Sequence, residues 1–334
     1  MTKRLGSPPL PSLLANLERA LGPEGASSLD PAVPNAVWRR ALAGPAGEFL
    51  ARPGKALRTS LVRAGWMLGG GEPHAFPERL ALVLELLHAG SLVIDDVEDD
   101  SEERRGAPTL HRLVGAPLAI NTGSWMYFWA LAELADLELD PRALATAVRA
   151  LVRCHQGQAL DLAVRVTELE RTHVAAIVAT TTRLKTGMLC KLAAELGAIA
   201  AGAGESQRAI IARFAEDLGC GLQMLDDLGS LTCADRRAKG REDLRAARPT
   251  WPWAWLAETG DWVLRELPAG TDEEVDLLAE QLSRATRTIG RARIRATLDG
   301  ALASLRGALG AHPTTDAVID ALASELARME ISYG

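Results

Sequence analysis

Apolar residues recur at three- and four-residue spacing over 36–50, 55–68, 78–98, 116–135, 141–163, 170–201, 206–230, 251–265, 273–287 and 290–309, with a last stretch over 314–330. An α-helix returns the same face to a core at that period, so each stretch predicts an amphipathic or buried helix. Gly and Pro gather between them, at GGGEPHAFP (69–77), RRGAP (104–108) and ARPTWP (247–252), where they punctuate the helices. Alternating apolar and polar runs of the β type, bounded by Asn-Gly or Asp-Gly, do not occur, and the predicted fold class is all-α. No Ser/Gly linker, low-complexity tract or fixed repeat divides the chain. We therefore expect one helical domain over 36–334, preceded by a loosely ordered arm rich in Pro and Gly over 1–35.

Composition narrows the function. With 334 residues and 48% hydrophobic residues the chain can bury a sizeable core. Its 37 basic residues are mostly Arg, scattered within a net charge of -6, and form no basic stripe, so nucleic acid is not an expected partner. Cys154, Cys190, Cys220 and Cys233 lie far apart without a CxxC pair, which suggests neither a disulfide framework nor a zinc site and fits a reducing cytoplasm. The start, MTKRLGSPPLPSLL, is too short and too broken by proline for a signal segment or a membrane span.

The strongest chemical signal is ELLHAGSLVIDDVEDDSEERRGAPTLH (85–111), an apolar helix running into acids and a Gly-Pro turn. At 100° per residue His88, Asp95 and Asp99 share one stripe with Asp96 beside it. Carboxylates continuing a buried stripe repel one another and lose hydration unless cations neutralise them. Hard oxygen ligands on one face suit Mg²⁺, which takes one or two carboxylates and completes its octahedron with water and phosphate oxygens. DDVEDDSEERRG lacks the alternate ligands and central Gly of an EF-hand. Arg104 and Arg105 carry forks that match phosphate oxygens, and they also read as surface charges balancing Glu102 and Glu103.

With these residues the sequence resembles the trans-isoprenyl diphosphate synthase family over roughly residues 50–255. The resemblance runs through PGKALR (53–58), the acidic segment, GQALD (157–161), KTGMLCKLAAELGAIAAG (185–202) and DLGCGLQMLDD (217–227), in that order. It implies an isoprenoid-synthase helical bundle around a central active-site cavity, a homodimer and three Mg²⁺ ions. By the same resemblance Asp95, Asp96 and Asp99 serve the ions that hold an allylic diphosphate, and Arg104 contacts that diphosphate. Lys55, Arg58, His88 and Arg105 bind isopentenyl diphosphate, while Lys185, Thr186 and Gln223 line the allylic side. Taken alone, Lys55 and Arg58 read as a solvated helix start, His88 as a core histidine and Lys185 as a surface residue.

The second aspartate-rich motif of the family, DDxxD, is here Asp226, Asp227, Leu228, Gly229, Ser230. The third carboxylate is missing, although Gln223, Asp227 and Ser230 still share a helical face with Asp226 adjacent, so a weakened ion site is expected there. Downstream, AKGREDLRAARPTWP (238–252) is off by one near Gly240 and carries Arg248 where Lys is usual, which leaves Arg237, Lys239 and Arg248 as open phosphate ligands. The expected reaction joins an allylic diphosphate to isopentenyl diphosphate, with no protein nucleophile. Gly90 and Ser91 leave room for a growing chain, while the run Trp125 to Trp129 adds bulk; if Trp125 or Trp129 faces the cavity, the product is of farnesyl to geranylgeranyl size. Two alternatives stay open: a terpene cyclase, because DDLGSLTCA half matches a cyclase metal triad, and a non-catalytic partner subunit.

Overall fold

A computed structural model describes residues 32–52, 57–233, 236–259 and 271–333. The first helix α1 (Asn35–Trp38) passes through a π-helical turn into α2 (Gly44–Leu50), and α3 (Leu57–Leu68), α4 (Glu78–Glu98) and the short α5 (Leu110–Val114) follow. Next come α6 (Ala116–Ala135), α7 (Arg142–Ala163), α8 (Arg171–Thr182), α9 (Met188–Ala200) and α10 (Glu205–Thr232). The chain ends with α11 (Arg237–Arg245), α12 (Trp251–Thr259), α13 (Asp272–Leu309) and α14 (Pro313–Tyr333). Among the described residues the only strands are β1 (Glu103–Arg104) and β2 (Ala107–Pro108), so the chain is all-α as its periodicity predicts.

The helix α4 is apolar on nearly every face, with Leu80, Leu84, Leu86, Leu87 and Val93 fully buried, so it runs through the centre of the bundle. It packs on α3 and α6, and α9 packs between α3 and α10. A second apolar cluster of Val174, Val178, Leu244, Trp253, Leu256, Val275 and Leu282 joins α8, α11, α12 and α13. The two cores flank the site: α4 and α10 each bring a carboxylate cluster near their C-terminal ends, where the helix dipole is negative. That placement disfavours acids unless cations face them, which points to function over stability.

Three differences from the periodicity have physical reasons. The stretches 273–287 and 290–309 form one helix, because Gly290 continues it while making room for the Trp255 ring, which a Cβ there would meet at 2.4 Å. The helix α11 was not expected, since RAKGREDLR offers only Leu244 to a core; Arg241 fixes it instead by ion pairs to Asp272 and Asp276 at 2.7 Å. The stretch 170–201 is divided by a π-helical turn over Arg183–Gly187, a feature frequent at functional sites, and this one carries Lys185 and Thr186.

Candidate active site

The last turns of α4 close in a Schellman motif, with Ser101 N–H bonded to Asp96 O and Asp100 at φ 52. This ending turns Asp95, Glu98 and Asp99 into a cavity of about 1470 Å³. Asp95 accepts from Lys185 Nζ and Gln158 Nε2, each at 3.0 Å, and stands 3.4 Å from Arg104. Burial alone would raise the Asp95 pKa, but Lys185, Lys239 and Arg104 overcome it and hold the carboxyl at about 2, ionised at neutral pH. Asp99 pairs with Arg248 at 2.5 Å and Lys239 at 3.3 Å.

Asp96 departs from its expected place beside Asp95. One residue along the helix turns it away from the cavity, fully buried, where Oδ1 accepts from Arg104 Nε at 2.7 Å. It anchors Arg104 and does not line the cavity. Arg104 is also set by a two-residue hairpin turn in which Arg105 and Gly106 both take positive φ, 58° and 78°. An arginine held in that conformation beside the cavity is a local cost of the kind found at binding sites.

The Lys185 ammonium bridges Asp95 and Asp161, the latter at 2.7 Å, and these two carboxylates raise its pKa against the opposing effect of burial. The π-helical turn that presents it presses against Gly157 of α7, where a Cβ would lie 2.7 Å from Lys185 N. Thr186 donates to Gln223 Oε1 at 2.6 Å, which links this turn to α10. Gln158, Asp161 and Glu98 are therefore parts of the site that were not singled out in the sequence, although GQALD had pointed at the first two.

Arg58, His88 and Arg105 line the same cavity. Burial, followed by the charges of Arg58, Arg105 and Arg104, pushes the His88 pKa well below the usual imidazole value, so the ring is neutral. Arg58 Nε is buried without a hydrogen-bond partner, and Arg105 lies over the Phe49 ring at 5.6 Å. Lys55 lies outside the described residues.

The second cluster differs from its expected form. Asp227 accepts from Gln223 Nε2 at 2.7 Å and from the Trp251 backbone N–H at 2.9 Å, and burial raises its pKa to about 8. Ser230 donates to Asp227 O at 2.7 Å and is buried. Both line the same cavity as Asp226, with these hydrogen bonds holding them. Asp226 pairs with Arg236, a residue the sequence reading had not included. Arg237 reaches toward Asp276, away from the acids of α4. Of the aromatic run on α6, Tyr127 lines the cavity, while Trp125 and Trp129 stack on each other at 5.0 Å and do not.

Asp95, Glu98 and Asp99 are hard oxygen donors facing open volume, and the first cluster fits Mg²⁺ on that chemistry. Among the described residues no three His, Cys, Asp or Glu side chains converge on one metal position, so phosphate oxygens and water must complete any coordination. An acidic helix end, ringed by Lys and Arg and opening into a large apolar-walled cavity, defines a diphosphate-processing enzyme of the all-α class.

The polyprenyl synthetase family profile matches residues 39–281. Geranylgeranyl pyrophosphate synthase 2 of Zymoseptoria tritici is 35% identical over 232 residues, 68% of each chain. A geranylgeranyl pyrophosphate synthase of Penicillium crustosum is 39% identical over 127 residues, which span 37% of this chain and 36% of that one. In fold the chain is similar to geranylgeranyl pyrophosphate synthase of Lactobacillus brevis, with TM-score 0.75 and 23% identity over 96% of both chains. Heptaprenyl diphosphate synthase of Staphylococcus aureus gives the same TM-score at 18% identity, again over 96% of both chains. The chain belongs to the polyprenyl synthetase, or trans-isoprenyl diphosphate synthase, family and is a prenyltransferase.

Proposed function

We propose that the chain is a Mg²⁺-dependent synthase that joins an allylic prenyl diphosphate to isopentenyl diphosphate and makes a trans product of geranylgeranyl size. One observation carries this reading: a single cavity holds two separate sets of phosphate-binding cations. Lys185, Lys239, Arg248 and Arg104 surround the acids of α4, while Arg58, Arg105 and neutral His88 form a second set with no carboxylate ion-paired to Arg58 or Arg105 among the described residues. Two diphosphates need two such sets; a cyclase, which ionises one, does not. The ionised Asp95 among the acids of the first set argues against a non-catalytic subunit.

Mg²⁺ held at Asp95 and Asp99 would neutralise the allylic diphosphate and stabilise it as a leaving group. Lys185, Lys239 and Arg248 would exchange carboxylate partners for phosphate oxygens, so that charge developing on the leaving group meets donors already in place. Arg104, anchored by Asp96, would keep its fork aimed at the same group. Arg58, Arg105 and His88 would hold isopentenyl diphosphate with its double bond beside the allylic carbon. The apolar walls of Leu87, Leu92, Leu151 and Leu189 exclude water from the cationic carbon. Tyr127 limits the chain that can grow past Ser91, and the names of the fungal relatives support a geranylgeranyl product.

A homodimer is part of the proposal. Phe128, Val148 and Val152 are 70%, 43% and 55% exposed on α6 and α7, beside an apolar groove, and a second copy would cover that face. No described helix is long and apolar enough to cross a membrane. Four unpaired cysteines support a cytoplasmic place.

The test is to incubate the chain with Mg²⁺ and dimethylallyl, geranyl or farnesyl diphosphate, with and without isopentenyl diphosphate, and weigh the products. The reading expects diphosphates elongated by whole five-carbon units up to geranylgeranyl size, only when both substrates are present. Hydrocarbon released without isopentenyl diphosphate overturns it in favour of a cyclase.

A further inference from the structure

We infer that Arg52, which does not line the cavity, is a positioning residue for the second substrate: its guanidinium pins both strands of the β1–β2 hairpin and so sets the Arg105 fork for isopentenyl diphosphate. The inference rests on the synthase reading and deepens it at the site of one substrate.

Arg52 follows the end of α2, and its backbone N–H donates to Phe49 O at 3.2 Å. The residue is buried, 6% exposed. Its Nη1 donates to Arg104 O at 3.1 Å and its Nη2 to Pro108 O at 2.7 Å. Arg104 belongs to β1 and Pro108 to β2, so one planar fork clamps both sides of the turn between them. The ion pair to Glu48, at 3.4 Å, has a carboxylate partner that is half-exposed, and Arg52 Nε is buried with no hydrogen-bond partner. Such a pair is a weak source of stability for a buried charge, so the placement points to the geometry of the turn.

The turn carries Arg104 and Arg105, and the two are held unequally. Arg104 has a buried anchor of its own in Asp96, at 2.7 Å. Arg105 stands at φ 58°, a conformation that a residue with a side chain keeps only where its surroundings impose it. Its Nη1 donates back to Arg52 O at 3.4 Å, and the Arg105 and Arg52 guanidinium groups both lie over the Phe49 ring, 5.6 and 5.5 Å from its centroid. Loosening Arg52 therefore frees Arg105 while Asp96 still holds Arg104. The Arg52 charge also acts on Arg105, and lysine separates that effect from the clamp. Lysine keeps the charge, but its single ammonium lacks the fork that spans two carbonyls.

The experiment uses the full chain with Mg²⁺, isopentenyl diphosphate and whichever allylic diphosphate it elongates fastest, and measures the KM of each substrate separately. Arg52→Met should raise the KM for isopentenyl diphosphate roughly tenfold or more, and the allylic KM and kcat should each change less than about threefold. Arg52→Lys should fall between it and the parent chain, and it carries the test if Arg52→Met does not fold. Both KM values rising equally, an isopentenyl diphosphate KM that does not move, or Arg52→Lys matching the parent chain overturns the inference and leaves the synthase reading standing. A parent chain that elongates no primer removes both.

Discussion

Arg104 Nε donates to Oδ1 of Asp96 at 2.7 Å, and the Asp96 side chain is wholly buried beneath it. One carboxylate of the acidic motif thus positions the arginine proposed to bind phosphate. Arg104→Ala strands that buried carboxylate and should cost about 3–5 kcal/mol of stability. Adding Asp96→Asn should recover much of the thermal midpoint without recovering turnover. Activity restored together with stability would contradict the role given to Arg104.

Gly157 offers a test of position without a change of charge. A methyl group there would stand 2.7 Å from Lys185 N and 2.9 Å from Leu184 C, backbone atoms that must move. Gly157→Ala should lower kcat/KM roughly 100-fold, as a displacement of about 1 Å at a binding group does, and cost about 1–3 kcal/mol in stability. Kinetics equal to the parent chain would show that the Lys185 turn is not held by this contact.

His88 gives the pH dependence a definite sign. Its folded pKa is depressed by burial and by three arginines, so the folded ring stays neutral while the unfolded ring takes a proton below about pH 6.5. The His88 contribution to stability is complete above that pH and is lost as pH falls below it. The thermal midpoint should drop between pH 7.5 and 5.5, and His88→Gln should reduce the drop. An imidazole resonance of His88 titrating near the ordinary value would contradict the assignment.

Removing metal should abolish turnover and leave the fold intact. Asp95, Asp96 and Asp99 each face a cation among Lys185, Arg104, Lys239 and Arg248. A chelator should shift the thermal midpoint by under about 2 °C. Mg²⁺ with a diphosphate at about 100 times its Kd should add about 2.7 kcal/mol. Unfolding on chelation would mean that the acids need the ion to fold.

Much of this was legible in the sequence because the signals are local. The period of α4 and its terminal acids sit in one segment, and Asp95, Asp99, His88 and Lys185 do meet around one cavity. Other parts were not legible, each for a stated reason. Asp96 lies one residue from Asp95, and a 100° step carries it to the buried face. Periodicity cannot orient an aromatic run, so Tyr127 took the place expected of Trp125 or Trp129. The helix α11 is held by ion pairs from Arg241 to a helix more than thirty residues on, and its charged sequence shows no apolar face. The commitments of Asp227 depend on Trp251, twenty-four residues away, and no spacing rule reports them.

In the proposed reaction isopentenyl carbon is joined to an allylic chain at the Asp95 cluster. The most direct measurement follows labelled isopentenyl diphosphate into longer allylic diphosphates, comparing the parent chain with Asp95→Asn at equal Mg²⁺. The account predicts incorporation that requires Mg²⁺ and an allylic primer and falls at least roughly 100-fold in the variant. Undiminished incorporation in Asp95→Asn, or none in the parent chain with any primer, would contradict it.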